Sequence, residues 1–382
     1  MALKVAKRGA VPPFIVMEVM QAAADKESAG DQVFHLEIGQ PSTGAPSGVI
    51  VAAKAALDHD RIGYTIAPGI PELRTRIARH YKERHDLEVS PEQVMVTTGS
   101  SSGFLLSFLS AFEAGDRVAL ASPGYPAYRN ILRAVGVEVV DLLTGPETNF
   151  QPTPDLIEEC EGDIDGLIIA SPSNPAGTMI TADDLGTLCA YCDKKGIRLI
   201  SDEIYHGISY GTTAMTSFEF TDNSIVINSF SKYFSMTGWR LGWMIVPDDL
   251  RRSVECLAQN LFISPPTLSQ YAAIAAFDCD EELQESVQRY AANRELLLRE
   301  LPKAGFDNLA SADGAFYIYA DVSALTNDSP AFCRRMLAET GVATTPGTDF
   351  DPSRGHRFVR FSFAGATADI VEAAARLQAW LR

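Results

Sequence analysis

The chain has 382 residues, and its 46% of hydrophobic and 21% of charged residues are typical of an ordinary soluble globular protein. Its formal net charge of −17 argues against a nucleic-acid partner, because binding to phosphate backbones requires basic residues. This charge does not exclude an anionic small ligand, since a few local arginines can dominate the field at one site.

The N-terminal segment MALKVAKRGAVPPF lacks the apolar stretch and the small-residue cleavage site of a signal peptide. No run of residues approaches the ~18 to 20 apolar positions that are needed to span a bilayer. We therefore expect a cytoplasmic protein that does not associate with a membrane.

The six cysteines are scattered along the chain, and only Cys189 and Cys192 form a CxxC pair. This pair lies within the helical pattern TADDLGTLCAYCDKKG, with no second CxxC and no paired histidines. Such a context favours thiols on the buried face of a helix over a redox or metal site. We expect no metal.

The N-terminal part of the chain combines helices, one short strand and irregular loops. Residues 11–29 predict a helix entered after two prolines, and VFHLEIGQP predicts a strand that stops at Gly39. Another helix is predicted over residues 48–58. The loop that follows holds Tyr64, and a third helix is predicted from Pro71, because proline is favoured at the first helical position.

From residue 93 onward, short apolar strands alternate with helices. The segments VMVTT, RVALAS, GLIIAS, IRLIS and SIVINS lack polar alternation, as do parallel strands that are buried on both faces. Helical segments such as SGFLLSFLSAFEAG and residues 182–194 separate them. This alternation predicts an α/β fold with a mainly parallel sheet and helices on both faces.

The C-terminal part has a different character. Helical patterns run through Leu301, and GAFYIYADVS and HRFVRFSFA then predict half-exposed antiparallel strands among further helices. The length exceeds that of a usual single core, so we expect two domains. We assign residues 46–285 to the large domain, and residues 1–45 together with 286–382 to a smaller α+β domain.

Small and polar residues follow the predicted parallel strands, where an open α/β sheet binds its ligands. Ser100 and Ser101 lie in a Gly/Ser loop that has the composition of a phosphate cradle, although such loops also open many ordinary helices. Tyr125 and Asn174 follow the next two strands. We expect these side chains to meet at one edge of the sheet.

Charged residues follow the last two of these strands. Asp202 comes directly after a buried strand, where a carboxylate either has a cationic or donor partner or serves as a turn or capping residue. Lys232 lies between two apolar segments, with Arg240 eight residues later, which is unusual for a lysine at the surface. Pyridoxal 5′-phosphate would use all these groups: an amine for its aldehyde, a carboxylate for its ring nitrogen, and hydroxyl, N–H and arginine donors for its phosphate.

Six segments carry a resemblance to a known family over essentially the whole chain. They are GYTIAPGIPELR, TTGSSSG, SPSNPAGT, SDEIY, SFSKYFSMTGWRLG and VRFSFA. Their order and spacing resemble those of the class I aminotransferases, the pyridoxal-phosphate-dependent fold type I enzymes of the aspartate aminotransferase superfamily. The resemblance implies the fold type I large domain and a smaller α+β domain.

The resemblance also implies roles for the residues around the cofactor ring. Lys232 would be the Schiff-base lysine, and Asp202 would pair with the pyridine nitrogen. Asn174 and Tyr205 would hydrogen-bond the phenolic oxygen, and Tyr125 would stack on the ring. Of these residues, Lys232, Asp202 and Tyr205 would be the catalytic ones.

The resemblance implies that Ser229 and Arg240 bind the cofactor phosphate, together with Ser100 and Ser101. Tyr64 corresponds to a residue that in this family reaches the phosphate of the neighbouring subunit. The protein would therefore be a homodimer with its active sites at the interface.

For the substrate, the resemblance implies that Arg360 binds the α-carboxylate bidentately, with Gly39 adding a backbone N–H and Asn174 lying alongside. Taken without the resemblance, Arg360 could equally be an exposed strand arginine like its neighbour Arg357. The implied reaction is a ping-pong transamination between an L-amino acid and a 2-oxo acid.

The substrate side chain is less well specified by the sequence. The N-terminal segment Pro12-Pro13-Phe14-Ile15-Val16 is apolar and the phosphate loop carries no lysine, so we expect a pocket for apolar side chains. One alternative is a carbon–sulfur β-lyase on the same scaffold. A more remote one is a non-catalytic pyridoxal-phosphate-binding regulatory module, which the acidic charge and the presence of Lys232 disfavour.

Overall fold

The computed structural model describes residues 3–381. Its α-helices are α1 Ile15–Ser28, α2 Ser47–His59, α3 Pro71–His85, α4 Gly99–Ala111, α5 Pro126–Val135, α6 Pro154–Glu158, α7 Ala182–Lys195, α8 Arg251–Leu261, α9 Thr267–Ala276, α10 Asp280–Glu300, α11 Ser329–Thr340 and α12 Thr367–Trp380. Its strands are β1 Phe34–His35, β2 Val94–Thr97, β3 Arg117–Ser122, β4 Glu138–Leu143, β5 Gly166–Ala170, β6 Arg198–Asp202, β7 Ile225–Ser229, β8 Gly242–Ile245, β9 Asn308–Leu309, β10 Tyr317–Asp321, β11 Val342–Ala343, β12 Thr345–Pro346 and β13 Phe358–Ser362.

The central sheet has seven strands in the order β2-β8-β7-β6-β5-β3-β4. The pairs among β7, β6, β5, β3 and β4 are all parallel, which confirms the predicted mainly parallel sheet. Strand β8 is antiparallel to both of its neighbours, β2 and β7. It runs back because the chain reverses within the loop of residues 230–241, without the helical crossover that a parallel return requires.

Both faces of the central sheet are covered, as the run of apolar residues in β7 requires. Val226 packs with Trp243 in the core on one face, which includes residues of α3 and α9. Ile225 and Ile227 face the opposite way and pack with Met244 and with residues of α4. Because both faces of β7 are buried, its sequence shows no alternation of polar and apolar residues.

The second sheet is antiparallel, in the order β12-β13-β10-β9, and Tyr319 lies opposite Arg360 in its register. Strand β13 is buried along its whole length and β10 at four of its five residues, so the expectation of half-exposed strands is wrong for both. Phe361 of β13 packs against Phe306, while Phe358 packs with Phe150 from the other part of the chain. A layer on each side therefore covers this small sheet.

Several local predictions can be compared directly with the elements. Helix α3 begins at Pro71, as predicted. Helix α1 begins at Ile15, later than the predicted start at residue 11, because Asp349 accepts hydrogen bonds from the N–H groups of Ile15 and Val16 and so caps the helix there. The predicted domain boundary at 285/286 falls inside α10 and stays a prediction.

The CxxC pair lies in α7 with both cysteine side chains buried, which confirms thiols on the buried face of a helix. Burial raises the pKa of each of these thiols to about 12. In the described part of the chain, no helix combines the length and the apolar character needed to cross a membrane.

Candidate active site

The carboxyl ends of β5, β6 and β7 border a cavity of about 280 Å³, which the small sheet and α1 close from the other side. Most of the residues predicted from the sequence line this cavity: Gly39, Ser100, Ser101, Tyr125, Asn174, Asp202, Tyr205, Lys232, Arg240 and Arg360. Two predicted residues, Ser229 and Tyr64, are not among its lining residues. The chain thus brings together groups that are as much as 321 positions apart, from Gly39 to Arg360.

Lys232 follows β7 in a tight turn, in which the N–H of Ser235 donates to the carbonyl of Lys232. Its Nζ donates to the carbonyl oxygen of Gly39 at 2.6 Å. Burial, followed by the nearby charges of Arg360 and Arg240, lowers the pKa of Lys232 to about 8. A substantial fraction of this amine is therefore neutral near pH 7 to 8, as a nucleophile or proton acceptor must be.

Asp202 ends β6 and is almost fully buried. One of its oxygens accepts a hydrogen bond from the hydroxyl of Tyr128, and Oδ1 accepts one from the N–H of Ile204 at 3.1 Å. Burial raises the pKa of Asp202 to about 6, although these two hydrogen bonds and the charge of Lys232 act in the opposite direction. A cationic ligand placed beside this carboxylate would favour its charged form.

Tyr205 lies beyond β6 with its hydroxyl 2.8 Å from that of Tyr317 on β10. Burial raises the pKa of Tyr205 well above its ordinary value, so the phenol is a neutral hydrogen-bonding group. The Tyr317 hydroxyl also lies against Gly39, where an added Cβ would come within 1.7 Å of it. Glycine at position 39 is what allows this close approach.

The loop predicted to cradle a phosphate forms the first turn of α4, with Ser100 and Ser101 at the cavity. Arg240 packs over this turn so closely that a Cβ on Gly99 would come within 2.5 Å of its Nη2. Gly99 also has a φ of +72°, which glycine adopts without strain. The helix N-terminus, two hydroxyls and a guanidinium thus converge on one spot, which suits an anion.

Ser229 is turned away from this spot. Its hydroxyl is buried at the end of β7 and lies 3.0 Å from the carbonyl oxygen of Leu241 and 2.9 Å from the hydroxyl of Ser231. Ser231 and Thr237 line the cavity near Arg240. The role predicted for Ser229 in phosphate binding stays a prediction, and its hydroxyl positions Ser231.

Arg360 on β13 is buried at the other end of the cavity. Its Nη1 donates to Oδ1 of Asn174 at 2.8 Å, and its Nη2 donates to the carbonyl of Glu37 and to Oγ1 of Thr345. Its guanidinium stacks 4.4 Å from the ring centre of Tyr317. No carboxylate within residues 3–381 forms a salt bridge with it, so its charge is available to an anionic ligand.

Four apolar side chains, which form an apolar wall, line the cavity together with Arg360. Phe14 and Val16 of the predicted N-terminal segment belong to it, and α1 adds Met17 and Met20. Phe14 also contacts Tyr125, with their ring centres 5.7 Å apart. Pro12, Pro13 and Ile15, which were predicted to belong to the same pocket, are not among its lining residues.

Several residues of this site were missed from the sequence, among them Tyr128, Tyr317 and Glu37. Tyr128 lies three positions after Tyr125 at the start of α5, so the helical spacing could have indicated that both face the same cavity. Tyr317 and Glu37 act through contacts between distant parts of the chain. No local pattern marks them.

Tyr64 lies in the loop after α2, and it is 84% exposed. Ile62 and Ile66 on the same loop are exposed as well, at 43% and 54%. Large apolar side chains grouped in this way are typical of a surface that another protein covers. The described chain by itself brings no partner to Tyr64.

Known proteins resemble this chain over nearly its whole length. A family model described as aminotransferase class I and II matches residues 31–377. The valine–pyruvate aminotransferase of Mycobacterium tuberculosis is 53% identical over 99% of this chain and 98% of its own length. A crystal structure of an aminotransferase from Mycobacterium tuberculosis has a TM-score of 0.98 and 52% identity, over 100% of this chain and 99% of that one.

The aspartate aminotransferase of Thermus thermophilus, solved with maleate, has a TM-score of 0.92 and 29% identity, over 99% of this chain and 100% of that one. The family depends on pyridoxal phosphate for its chemistry, and its substrates are amino acids and 2-oxo acids. Because its fold and nearly its whole length are matched in this way, the chain belongs to the class I and II aminotransferases of fold type I and is a transaminase that moves an amino group between an amino acid and a 2-oxo acid.

Proposed function

We propose that this transaminase holds pyridoxal 5′-phosphate in the cavity and acts on amino acids with apolar side chains. The donor set supports the cofactor: a partly buried amine at Lys232, a buried carboxylate at Asp202 and an anion site at the start of α4. The packing of Arg240 against Gly99 supports a phosphate at that helix end, because a side chain there would displace the guanidinium. Ser100, Ser101, Ser231 and Thr237 add hydroxyl donors.

When bound, the cofactor supplies an aldehyde that takes up the amino group and a ring that accepts electrons from the substrate Cα. Asp202 would hold a proton on the ring nitrogen, because a buried carboxylate with only neutral donors gains most from a cation beside it. Tyr205 and Asn174 would donate hydrogen bonds to the phenolic oxygen. Tyr125, at the edge of the cavity, would cover one face of the ring.

Lys232 would hold the cofactor through Nζ and, once released from it, would take the proton from the substrate Cα. The lowered pKa of about 8 supports this role, because the amine must be neutral to accept a proton. Each half of the ping-pong cycle would use the same group, first as acceptor and then as donor of that proton.

Arg360 would bind the α-carboxylate of both substrates, with Asn174 and Gly39 beside it. Its guanidinium already has three neutral acceptors and aromatic neighbours, so its orientation is fixed before a ligand arrives. A planar guanidinium with no ionic partner suits bidentate binding of a carboxylate.

The apolar wall is the single observation that carries the substrate proposal. Phe14, Val16, Met17 and Met20 line the same cavity as Arg360. Among the described lining residues, the cations are Lys232, Arg240 and Arg360, and all three already have roles in this proposal. A second carboxylate, as in aspartate, would be buried against apolar groups without a partner. The valine–pyruvate activity in the name of the 53% identical relative supports the same substrate class.

We also propose a homodimer in which Tyr64 reaches the cofactor phosphate of the neighbouring subunit. The exposure of Tyr64, Ile62 and Ile66 supports an interface on this loop. Ile263 adds to that support, since it is 54% exposed and has a φ of +66°. A β-branched residue in this conformation is strained and suggests a functional constraint.

A panel of amino donors tests the proposal. We expect kcat/KM for valine or alanine with a 2-oxo acid such as pyruvate to exceed that for aspartate by more than about tenfold, since an unpaired buried carboxylate costs at least 1.4 kcal/mol. If kcat/KM for aspartate exceeded that for valine and alanine by the same factor, the substrate assignment would be overturned. Pyruvate released from cystathionine without any amino acceptor would instead indicate a β-lyase.

A further inference from the structure

The segment that leads from β1 into the cavity holds a charged pair for which the reaction described above has no use. Nδ1 of His35 lies 2.8 Å from Oε1 of Glu37. The Glu37 side chain is only 1% exposed, whereas that of His35 is 40% exposed. The imidazole thus reaches from the surface down to a buried carboxylate.

Glu37 is also in direct contact with the arginine that we assign to the substrate carboxylate. Its main-chain carbonyl accepts hydrogen bonds from Nη2 of Arg360 and, at 2.9 Å, from Oγ1 of Thr345. Two residues further on, Gly39 lines the cavity and accepts a hydrogen bond from Lys232. A shift of the backbone at position 37 would therefore move the guanidinium.

The Glu37 side chain depends on His35 for its charge balance. Its second oxygen, Oε2, is buried and has no hydrogen-bond partner in the described part of the chain. A buried carboxylate is costly unless a cation or several donors compensate for it. His35 supplies that compensation, and the hydrogen bond to Glu37 is the main reason why the pKa of His35 rises to about 9.

Helix α1, strand β11 and helix α12 surround His35. From α1, Glu27 lies 3.2 Å from Nε2 of His35, whereas Lys26 of the same helix pairs with Asp31. The neighbouring strand β11 contributes Val342 and Ala343, which do not ionise. From α12, Arg376 lies over the ring of Phe34 and pairs with Glu372. Glu37 and Glu27 are thus the carboxylates in contact with the imidazole.

We propose that His35 and Glu37 are positioning residues for the α-carboxylate site: the ion pair fixes the backbone of residues 35–39, and the carbonyl of Glu37 in turn fixes Arg360. This inference rests on the role proposed above for Arg360. Neither residue touches the reacting atoms. Their contribution is to the affinity for both substrates, because both carry the same carboxylate.

The pair also makes this affinity dependent on pH. A histidine whose folded-state pKa is raised from 6.5 to about 9 stabilises the fold fully below pH 6.5 and loses that contribution as the pH rises through 9. Above that pH, Glu37 is a buried carboxylate with no cationic partner. Arg360 then loses its fixed acceptor, and substrate affinity falls.

The first test replaces His35 with alanine in the holoenzyme. We expect KM for valine and for pyruvate to rise about tenfold while kcat stays within about twofold, since a displaced positioning group costs affinity without altering the chemistry. The His59→Ala variant is the matched control, because His59 is exposed at the end of α2. Unchanged KM values in His35→Ala would overturn the inference.

A double-mutant cycle tests whether His35 acts through Glu37. In Glu37→Gln no buried charge needs compensation, so adding His35→Ala should change KM less than about twofold, whereas the same change in the wild type costs about tenfold. Equal costs in the two backgrounds would contradict the mechanism.

If His35→Ala does not fold, two measurements on proteins that retain His35 still test the inference. By NMR, the imidazole of His35 should titrate near pH 9 in the wild type and closer to 6.5 in Glu37→Gln. KM for pyruvate, which has no titrating amino group, should rise above pH 9 in the wild type and show no such rise in Glu37→Gln. An NMR midpoint near 6.5 in the wild type, or identical pH profiles, would overturn the inference.

These outcomes are distinct from a failure of the proposed function. A wild-type protein that does not bind pyridoxal phosphate or does not transaminate valine would contradict the proposed function. A wild-type protein that does both, together with His35 variants that behave like the His59 control, would contradict only the present inference.

Discussion

At one end of the cavity, burial lowers the pKa of Lys232 to about 8 and raises the pKa of Asp202 to about 6. Both values therefore lie closer to neutral pH than those of the free side chains. At the other end, Arg360 is a guanidinium, which stays charged, and neutral acceptors and aromatic rings hold it in one orientation. The difference matches the role that we propose for each end. A group that transfers protons must change its charge, whereas a group that binds a carboxylate must keep both its charge and its direction.

The two ends also come from different parts of the molecule. Lys232 and Asp202 follow neighbouring strands of the central sheet, so their proximity is a property of that sheet alone. Arg360 lies on the small antiparallel sheet, and its hydrogen bond to Asn174 links it to the segment that follows β5 of the central sheet. We therefore expect that mutations can alter the chemical step without altering the binding of the substrate carboxylate, and the reverse.

The largest expected effect is that of Lys232→Ala. We expect transamination to fall by at least about 10⁴-fold, because both the attachment point and the proton carrier are lost. The absorbance of the covalently held cofactor should disappear as well, which a spectrum of the purified protein checks. Lys54→Ala, at an exposed position of α2, should behave like the wild type. Retained turnover in Lys232→Ala would refute the assignment of the site.

Asp202→Asn should have the next largest effect. The amide keeps the shape of the side chain but not its charge, so we expect kcat to fall by about 10² to 10³-fold, as on removal of one strong electrostatic partner. Steady-state kinetics with valine and pyruvate measure this, with Asp58→Asn as the exposed control. A kcat within a factor of two of the wild type would show that the carboxylate does not act on the ring.

Arg360→Lys should raise KM for both substrates by about 100-fold, because an ammonium cannot reproduce the bidentate fork and leaves the acceptors of Arg360 unpaired. The cofactor absorbance should be unchanged. Arg357→Lys, at the exposed neighbouring position, is the control and should leave KM as it is. Equal KM values in the two variants would place the carboxylate elsewhere.

The smallest effect is expected for Tyr128→Phe, which removes one hydrogen bond from Asp202 and should lower kcat about tenfold. Because that bond favours the charged carboxylate, its loss should raise the pKa of Asp202 further. In the wild type, affinity for pyridoxal phosphate should fall as the pH drops through about 6, and in the variant the fall should begin at higher pH. Titration of the apoprotein with the cofactor at several pH values measures the shift.

The central-sheet end of this site could be predicted from the sequence. The parallel strands are short apolar runs, and their carboxyl ends meet at one edge, so Asp202 and Lys232 followed from local pattern together with one topological rule. The resemblance to the aminotransferases then implied the role of each residue. The parallel direction of β5, β6 and β7 agrees with that expectation.

The features of the site that the sequence did not predict depend on contacts between segments that are far apart in the chain. The bonds from Tyr128 to Asp202 and from Arg360 to Glu37, and the Tyr205–Tyr317 contact, join residues 74, 323 and 112 positions apart. The direction of Ser229 depends on the antiparallel return of β8, which places Leu241 beside its hydroxyl. Sequence periodicity carries information on faces and ends of elements, but not on how two sheets dock.

The division between the two ends of the cavity is tested most directly by single-turnover titration of the loaded enzyme with valine, which separates the limiting rate from the apparent Kd. Asp202→Asn should lower the limiting rate and leave the apparent Kd within about threefold of the wild type, whereas Arg360→Lys should raise the apparent Kd about 100-fold and largely keep the limiting rate. Both variants changing the same parameter to the same extent would contradict the account.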